Sequence, residues 1–191
     1  MPIRVRQQNM TTDTPDAVIA FWFHEITPKQ WWARSDAFDQ VIESRFGALH
    51  TAASRCELFE WRRSASGRLA EIIVLDQFSR NICRDRAEAF ANDSLALALA
   101  QIAVAVGADR ELEVEQRAFL YMPYMHSESA VIHEVAQVLF ASLGDKDKLN
   151  FELRHKAIID RFGRYPHRNR ILGRISTPEE IAFLQTPGSS F

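Results

Sequence analysis

The sequence predicts an all-α protein, and three observations predict it. Apolar residues recur at helical spacing in one segment after another. The segments open on capping residues: Thr14-Pro15, Ser35, Asn92-Asp93-Ser94 and Thr177-Pro178. No stretch alternates polar and apolar residues with period two between turn residues, and no Asn-Gly or Asp-Gly pair signals a hairpin. About seven to nine helices in antiparallel hairpins are therefore expected, as a bundle or a tetratricopeptide-like array. No clear repeat of about 34 residues accompanies them.

The first helix opens with Thr14 as cap and Pro15 as its first residue, carries Val18, Ile19, Trp22 and Phe23, and ends near Pro28. Trp31 and Trp32 follow. Ser35 then caps a helix with Phe38, Val41, Ile42, Phe46 and Leu49 on one face. Ser66 or Gly67 starts another, running to about Cys83. The stretch LALALAQIAVAV after Asn92 is apolar on nearly every side and closes at Gly107, so it is expected at the centre of the fold. Helices over 111–125, from Ser127 or Ser129 to Gly144, and over 145–162 come next, the last stopped by Gly163 and Pro166. Thr177-Pro178-Glu179-Glu180 opens a final short helix to about Leu184, with Glu180 placed for a capping box.

At 191 residues, 47% of them apolar, the chain can bury a full core and suits one domain, taken as 13–191 after a loose tail over 1–12. Twenty-three Lys and Arg against 25 Asp and Glu leave a net charge of -2, so any hold on an anion must come from local asymmetry. Only Cys56 and Cys83 are present, with neither a CxxC pair nor zinc spacing, which fits reduced thiols in a cytoplasmic protein. No apolar run of signal-peptide or membrane-spanning length occurs. No GxSxG, P-loop or GxGxxG stands behind a hydrolase, nucleotide or dinucleotide reading, and no cofactor is expected.

Local asymmetry does exist. From His155 to Arg174 six Lys or Arg and two His face one acid, threaded with apolar residues that must be buried. On the helix from Leu69 to Arg84, the second half divides in two: Leu75, Phe78 and Ile82 on one side, and Asp76, Gln77, Arg80, Asn81 and Arg84 on the other. That pattern fits a helix whose far end lines a cleft, with Asp76 holding the Arg80 guanidinium toward an anion. The plainer reading is a solvated Asp76–Arg80 pair four residues apart.

His155 lies on the apolar stripe of Phe151, Ile158, Ile159 and Phe162 and is expected to face inward, as a satisfied core residue or as an acid–base group. His126-Ser127-Glu128 adds an imidazole and a carboxylate at a helix start. His126, Glu128 and His133 do not have the HExxH spacing, and no metal is expected. Arg164 to Arg170 forms a basic turn that could meet RNA, but one such loop on a slightly acidic chain is a small footprint, so nucleic acid is not the expected partner.

Several of these stretches together resemble a known family. They are Phe21-Trp22-Phe23, Trp31-Trp32, Leu75-Asp76-Gln77-Phe78 to Arg80-Asn81, Phe119 to Pro123 with Met125 to Glu128, Arg161 to Asn169, Leu172-Gly173-Arg174 and Ser176 to Glu180. In that order, over about residues 16–184, the chain resembles the bacterial domain of unknown function 924 family. The resemblance implies a helical, tetratricopeptide-like fold and no established activity. Ser79 stands where the family's motif leads one to expect proline, and Cys83-Arg84 where an aromatic is expected.

The expected site is a cleft for a small anionic ligand or an acidic peptide terminus. Asp76, Gln77, Arg80, Asn81, Arg161, Arg164, His167, Arg168 and Asn169 line it, and Trp22, Trp31 and Trp32 wall it. The rival is an enzyme, hydrolase-like, with His126 or His155 as acid or base beside Glu128 and arginines meeting negative charge.

Overall fold

The computed structural model describes residues 13–190, so the tail expected over 1–12 lies outside the described residues. Among those described, every regular element is helical. Thr14 accepts the Ala17 N–H and Pro15 fills the first position of α1 (Pro15–Ala20), which runs into a π-helical turn over Phe21–Glu25. In α2 (Pro28–Trp32) the Gln30 side chain accepts the Thr27 N–H at 2.9 Å. Ser35 caps α3 (Asp36–Ser54).

The next helix starts earlier than the sequence suggests, because the cap is Ser64, whose hydroxyl accepts the Gly67 N–H. Gly67 is required there: a Cβ would collide with the Trp61 carbonyl oxygen, where the preceding turn crosses the helix start. α4 (Ala65–Ile73) continues through a π-helical turn over Val74–Phe78 into α5 (Ser79–Ile82). Ser79 donates to the Leu75 carbonyl at 2.6 Å within that widened turn.

α6 (Asp93–Ala105), α7 (Val114–Met125), α8 (Ala130–Ala141), α9 (Lys146–Phe162) and α10 (Pro178–Leu184) complete the set. Successive helices pack in pairs: α6 on α7, α7 on α8 and α8 on α9. Asp145 caps α9, which ends on Gly163 at φ 67°, in the left-handed region that glycine enters without strain. Thr177 and Glu180 cap α10 reciprocally.

The centre of the molecule is α4 with its π turn, not α6. Every residue from Leu69 to Ser79 is buried, Glu71, Asp76 and Gln77 included. α1, α6 and α7 pack on α4, and α3 packs on the π turn. Phe46 sits 5.0 Å from Phe21 and 4.9 Å from Phe78, ring centre to ring centre, and Trp22 bridges Phe78 and Phe119 at 5.6 and 5.7 Å. Each such side chain contributes about 1.5–3 kcal/mol through burial. α6 buries only Ala96, Leu99, Ala100 and Ala103 while Ile102 and Val106 are exposed. An alanine-rich helix reads as apolar all round, but its small side chains let one face approach α4 and α7 closely and leave the other at the surface. No helix among the described residues is long and apolar enough to cross a membrane.

Candidate functional site

A cleft of about 1130 Å³ opens between several parts of the chain. Trp31, Trp32 and Arg34 come from α2 and the turn after it; Gln77, Arg80, Asn81 and Arg84 from the π turn and α5; Lys148, Phe151, Arg154 and His155 from α9; and Tyr165, His167, Arg168 and Arg170 from the segment beyond α9. Met122, Met125 and His126 supply the end of α7. The polar half of the 69–84 helix and the loop after Gly163 therefore face one concavity. Its lining carries seven Arg and Lys against three acids.

The floor is a network of buried charges. Asp76, presented inward by the π turn, takes His126 Nδ1 at 2.8 Å, Gln77 Nε2 at 2.6 Å and Arg80 Nη1 at 3.1 Å. Arg80 reaches on to Asp93 through both terminal nitrogens, at 3.0 and 3.1 Å. Arg168 shares that carboxylate at 3.2 Å and donates to the His126 carbonyl at 3.1 Å. Its guanidinium lies 4.6 Å from the ring centres of both Phe90 and Tyr165, a cation–π sandwich that fixes its plane. The Arg168 Nε is sealed from solvent and has no partner among the described residues.

Burial alone would raise the Asp76 pKa, but the Arg80 guanidinium and then His126 hold it far below the ordinary carboxylate range. His126 is pushed below the usual histidine value by burial and then by Arg80, with Asp76 opposing. Burial takes His155 down to about 3 and His167 down to about 4, so at neutral pH both rings are uncharged and the positive lining is arginine and lysine alone. His155 donates from Nδ1 to the Phe151 carbonyl at 2.8 Å and is buried as its stripe implies, yet it also lines the cleft.

A smaller cavity of about 310 Å³ lies on the other side of His126, Arg168 and Phe90, which line both spaces. Glu128 lines this smaller one but is not the partner of His126. Its carboxylate accepts the Tyr165 N–H at 2.7 Å and both terminal nitrogens of Arg174 at 2.6 and 2.9 Å, tying α8's approach to the segment after α9. The carboxylate that His126 bonds is Asp76 instead.

Five residues expected at the cleft line neither cavity. Asp76 lies buried behind the lining, bonded to His126, Gln77 and Arg80. Arg161 is exposed, pairs with Glu179 and lies over the Phe162 ring at 4.7 Å. Arg164 pairs with Glu180 and donates to the Ile175 carbonyl. Asn169 is buried and bonds Ser176 and Glu180. Trp22 belongs to the core, where its carbonyl accepts Trp31 Nε1 at 2.9 Å. The basic stretch is thus divided: acids of α10 neutralise Arg161 and Arg164, Glu134 and Asp160 hold Lys156, Glu128 holds Arg174, and the cleft takes Arg168 and Arg170. Asn81 and Arg84 line the cleft while held from behind by Asp39.

Asp93, Phe90, Arg34, Lys148 and Arg154 were not singled out from the sequence. Asp93 reads there only as part of a helix start. No group of three or more His, Cys, Asp or Glu among the described residues is arranged to hold a metal ion.

Fold and site together define an all-helical protein with an arginine- and histidine-lined cleft built around an Asp–His pair. The family model described as a bacterial protein of unknown function (DUF924) matches residues 18–188, and the chain belongs to that family. A solved structure of a protein of unknown function, ATU0120 from Agrobacterium tumefaciens, is similar to it at 37% identity with a TM-score of 0.86, covering 90% of this chain and 96% of that one. No curated protein matches.

Proposed function

We propose that the cleft binds a small organic anion, a carboxylate or a phosphate. The observation that supports this best is the state of its cations. Arg34, Arg80, Arg84, Lys148 and Arg168 all pair with carboxylates. Arg154 and Arg170 are exposed at the cleft with no carboxylate partner among the described residues. A volume of about 1130 Å³ walled by Trp31, Trp32, Phe90, Phe151 and Tyr165 suits an organic ligand whose charged group meets those two guanidiniums. An acidic peptide terminus would use the same cations, by analogy with tetratricopeptide-like arrays. The RNA reading has less support: Arg164 is committed to Glu180 and Arg168 is buried against Asp93, which leaves Arg170 as that loop's exposed cation.

Thermal denaturation with glutarate, citrate or inorganic phosphate, each against sodium chloride of equal ionic strength, tests this. At 100 times its Kd a ligand adds about 2.7 kcal/mol of stability, or roughly 5–10 °C in Tm for a chain of this size. The double substitution Arg154→Ala and Arg170→Ala should leave the unliganded Tm within about 1 °C and remove most of that shift. Equal shifts from all four salts, or full retention by the double variant, would refute the reading.

A further inference from the structure

We infer that His126 is the general base of a hydrolytic site in this cleft, acting on a carboxylic ester whose remote end carries the anion. The inference rests on the binding reading for where that anion sits, and goes beyond it in assigning chemistry to the floor.

A carboxylate can only accept, so the 2.8 Å bond to Asp76 fixes the proton of neutral His126 on Nδ1. Nε2 then carries the lone pair. No described residue bonds it, it is not among the side-chain atoms sealed from solvent, and its ring lines both cavities. A buried carboxylate behind an imidazole whose other nitrogen opens on a cavity is what proton abstraction from a bound water requires. Depression of the His126 pKa keeps that lone pair available at neutral pH.

Donors for a developing oxyanion are adjacent. Of five N–H hydrogens on each guanidinium, Arg80 uses three, one to the Asp76 backbone carbonyl and two to Asp93, and Arg168 uses two. Since the Arg168 Nε is sealed from solvent, its available donors are the second hydrogens of its two terminal nitrogens. The rest are held in place by Asp93 and by the Phe90–Tyr165 sandwich before any substrate arrives.

Charge balance selects the substrate class. On the floor Asp76 and Asp93 match Arg80 and Arg168, which leaves little excess charge for a resident dianion but suits a single negative charge that forms during reaction. The cations with excess charge, Arg154 and Arg170, are at the exposed edge, where a permanent anion would rest. In the first step Nε2 takes a proton from water as the water oxygen bonds to the ester carbonyl carbon. The C=O electron pair moves onto oxygen and meets the guanidinium donors. Collapse restores C=O and breaks the bond to the alcohol oxygen, which takes the proton back from Nε2. Ester and water give acid and alcohol, with no redox partner.

The test uses the full chain with the mono-p-nitrophenyl ester of glutaric acid and, as its neutral counterpart, p-nitrophenyl acetate. The anionic ester should react with a kcat/KM at least tenfold higher. His126→Gln should lower kcat by about 100-fold or more with KM little changed. Asp76 is a positioning residue. Because its carboxylate raises the His126 pKa, Asp76→Asn should lower kcat and move the acid limb of the pH–rate profile downward, which a purely structural role would not do. If His126→Gln fails to fold, the nitrogen-15 spectrum of histidine-labelled wild type decides: a proton on Nε2 of His126 overturns the inference, and a proton on Nδ1 supports it. Titration with glutarate separates the two proposals. Glutarate binding without turnover of either ester above the His126→Gln level overturns this inference and leaves the binding reading standing; absence of both overturns the two together.

Discussion

Among the described residues two carboxylate–imidazole pairs are buried at almost the same separation, Asp76–His126 at 2.8 Å and Glu152–His133 at 2.7 Å. They differ at the far ring nitrogen. His133 Nε2 lies 2.9 Å from the Ser127 carbonyl and 3.2 Å from the Tyr165 hydroxyl, and the side chain has no exposed surface. A carbonyl only accepts, so Nε2 must be protonated, and the Nδ1–Glu152 bond holds one further proton on one atom or the other. Burial raises the Glu152 pKa, with the His133 bond opposing. That pair is a closed strut between α8 and α9. His126 has the same inner half and an unfilled outer half. Burial and a nearby carboxylate are therefore common to both, and what distinguishes the two histidines is whether the second ring nitrogen already has a partner among the described residues.

The largest expected effect breaks the closed pair. Glu152→Ala leaves His133 with a buried, unmatched Nδ1 and should cost about 3–5 kcal/mol, or roughly 6–20 °C in Tm by scanning calorimetry. A cost below that of an average surface substitution would remove the distinction between the two pairs.

The next effect is one of pH and concerns the open side. His155 and His167, with pKa values lowered by burial to about 3 and about 4, bind fewer protons folded than unfolded between those values and about 6.5. Stability should therefore fall as pH drops from 6.5 toward 4.5, by up to about 1.4 kcal/mol per unit for each ring. That window lies above the range in which Glu180, held down to about 2 by its bond to Arg164, loses its own contribution. Urea denaturation at pH 6.5, 5.5 and 4.5 measures the slope, and His155→Phe should reduce it by one histidine's share. An unchanged slope in the variant would mean that His155 titrates normally.

The smallest effect sharpens the closed pair's outer half. Tyr165→Phe removes the hydroxyl that donates to the Met125 carbonyl at 2.5 Å and sits beside His133. About 1–2 kcal/mol should be lost, with the Asp76–His126 geometry unaffected. An equal change in the pH–rate profile attributed to His126 would show the two pairs to be coupled.

Much of the helical pattern was legible because caps are local: Thr14, Ser35, Asp145 and Thr177 announce helix starts within three residues of the N–H groups they bond. The centre was less legible, since α6 has the more uniformly apolar sequence but α4 is the helix buried on every side. At the site, Asp76 and His126 both stood out, yet their pairing crosses 50 positions of chain, and no spacing rule reports such a contact. Glu128 looked like the partner because it is two residues away. Arg161 and Arg164 looked free because the acids that neutralise them, Glu179 and Glu180, read as helix-start residues. Arg154 passed unnoticed because its lack of a partner is a property of three dimensions.

Asp93 joins two arginines that are far apart in the chain, Arg80 lying 13 positions before it and Arg168 75 positions after it. During synthesis the chain emerges from its amino terminus, so Arg80 and Asp93 meet first and Arg168 arrives after α7, α8 and α9 have been made. Until then His126 lacks the guanidinium that donates to its carbonyl and helps close the floor. A chain cut short before Arg168 would hold most of the core and no finished site, so the cleft is completed only once nearly the whole molecule has been assembled.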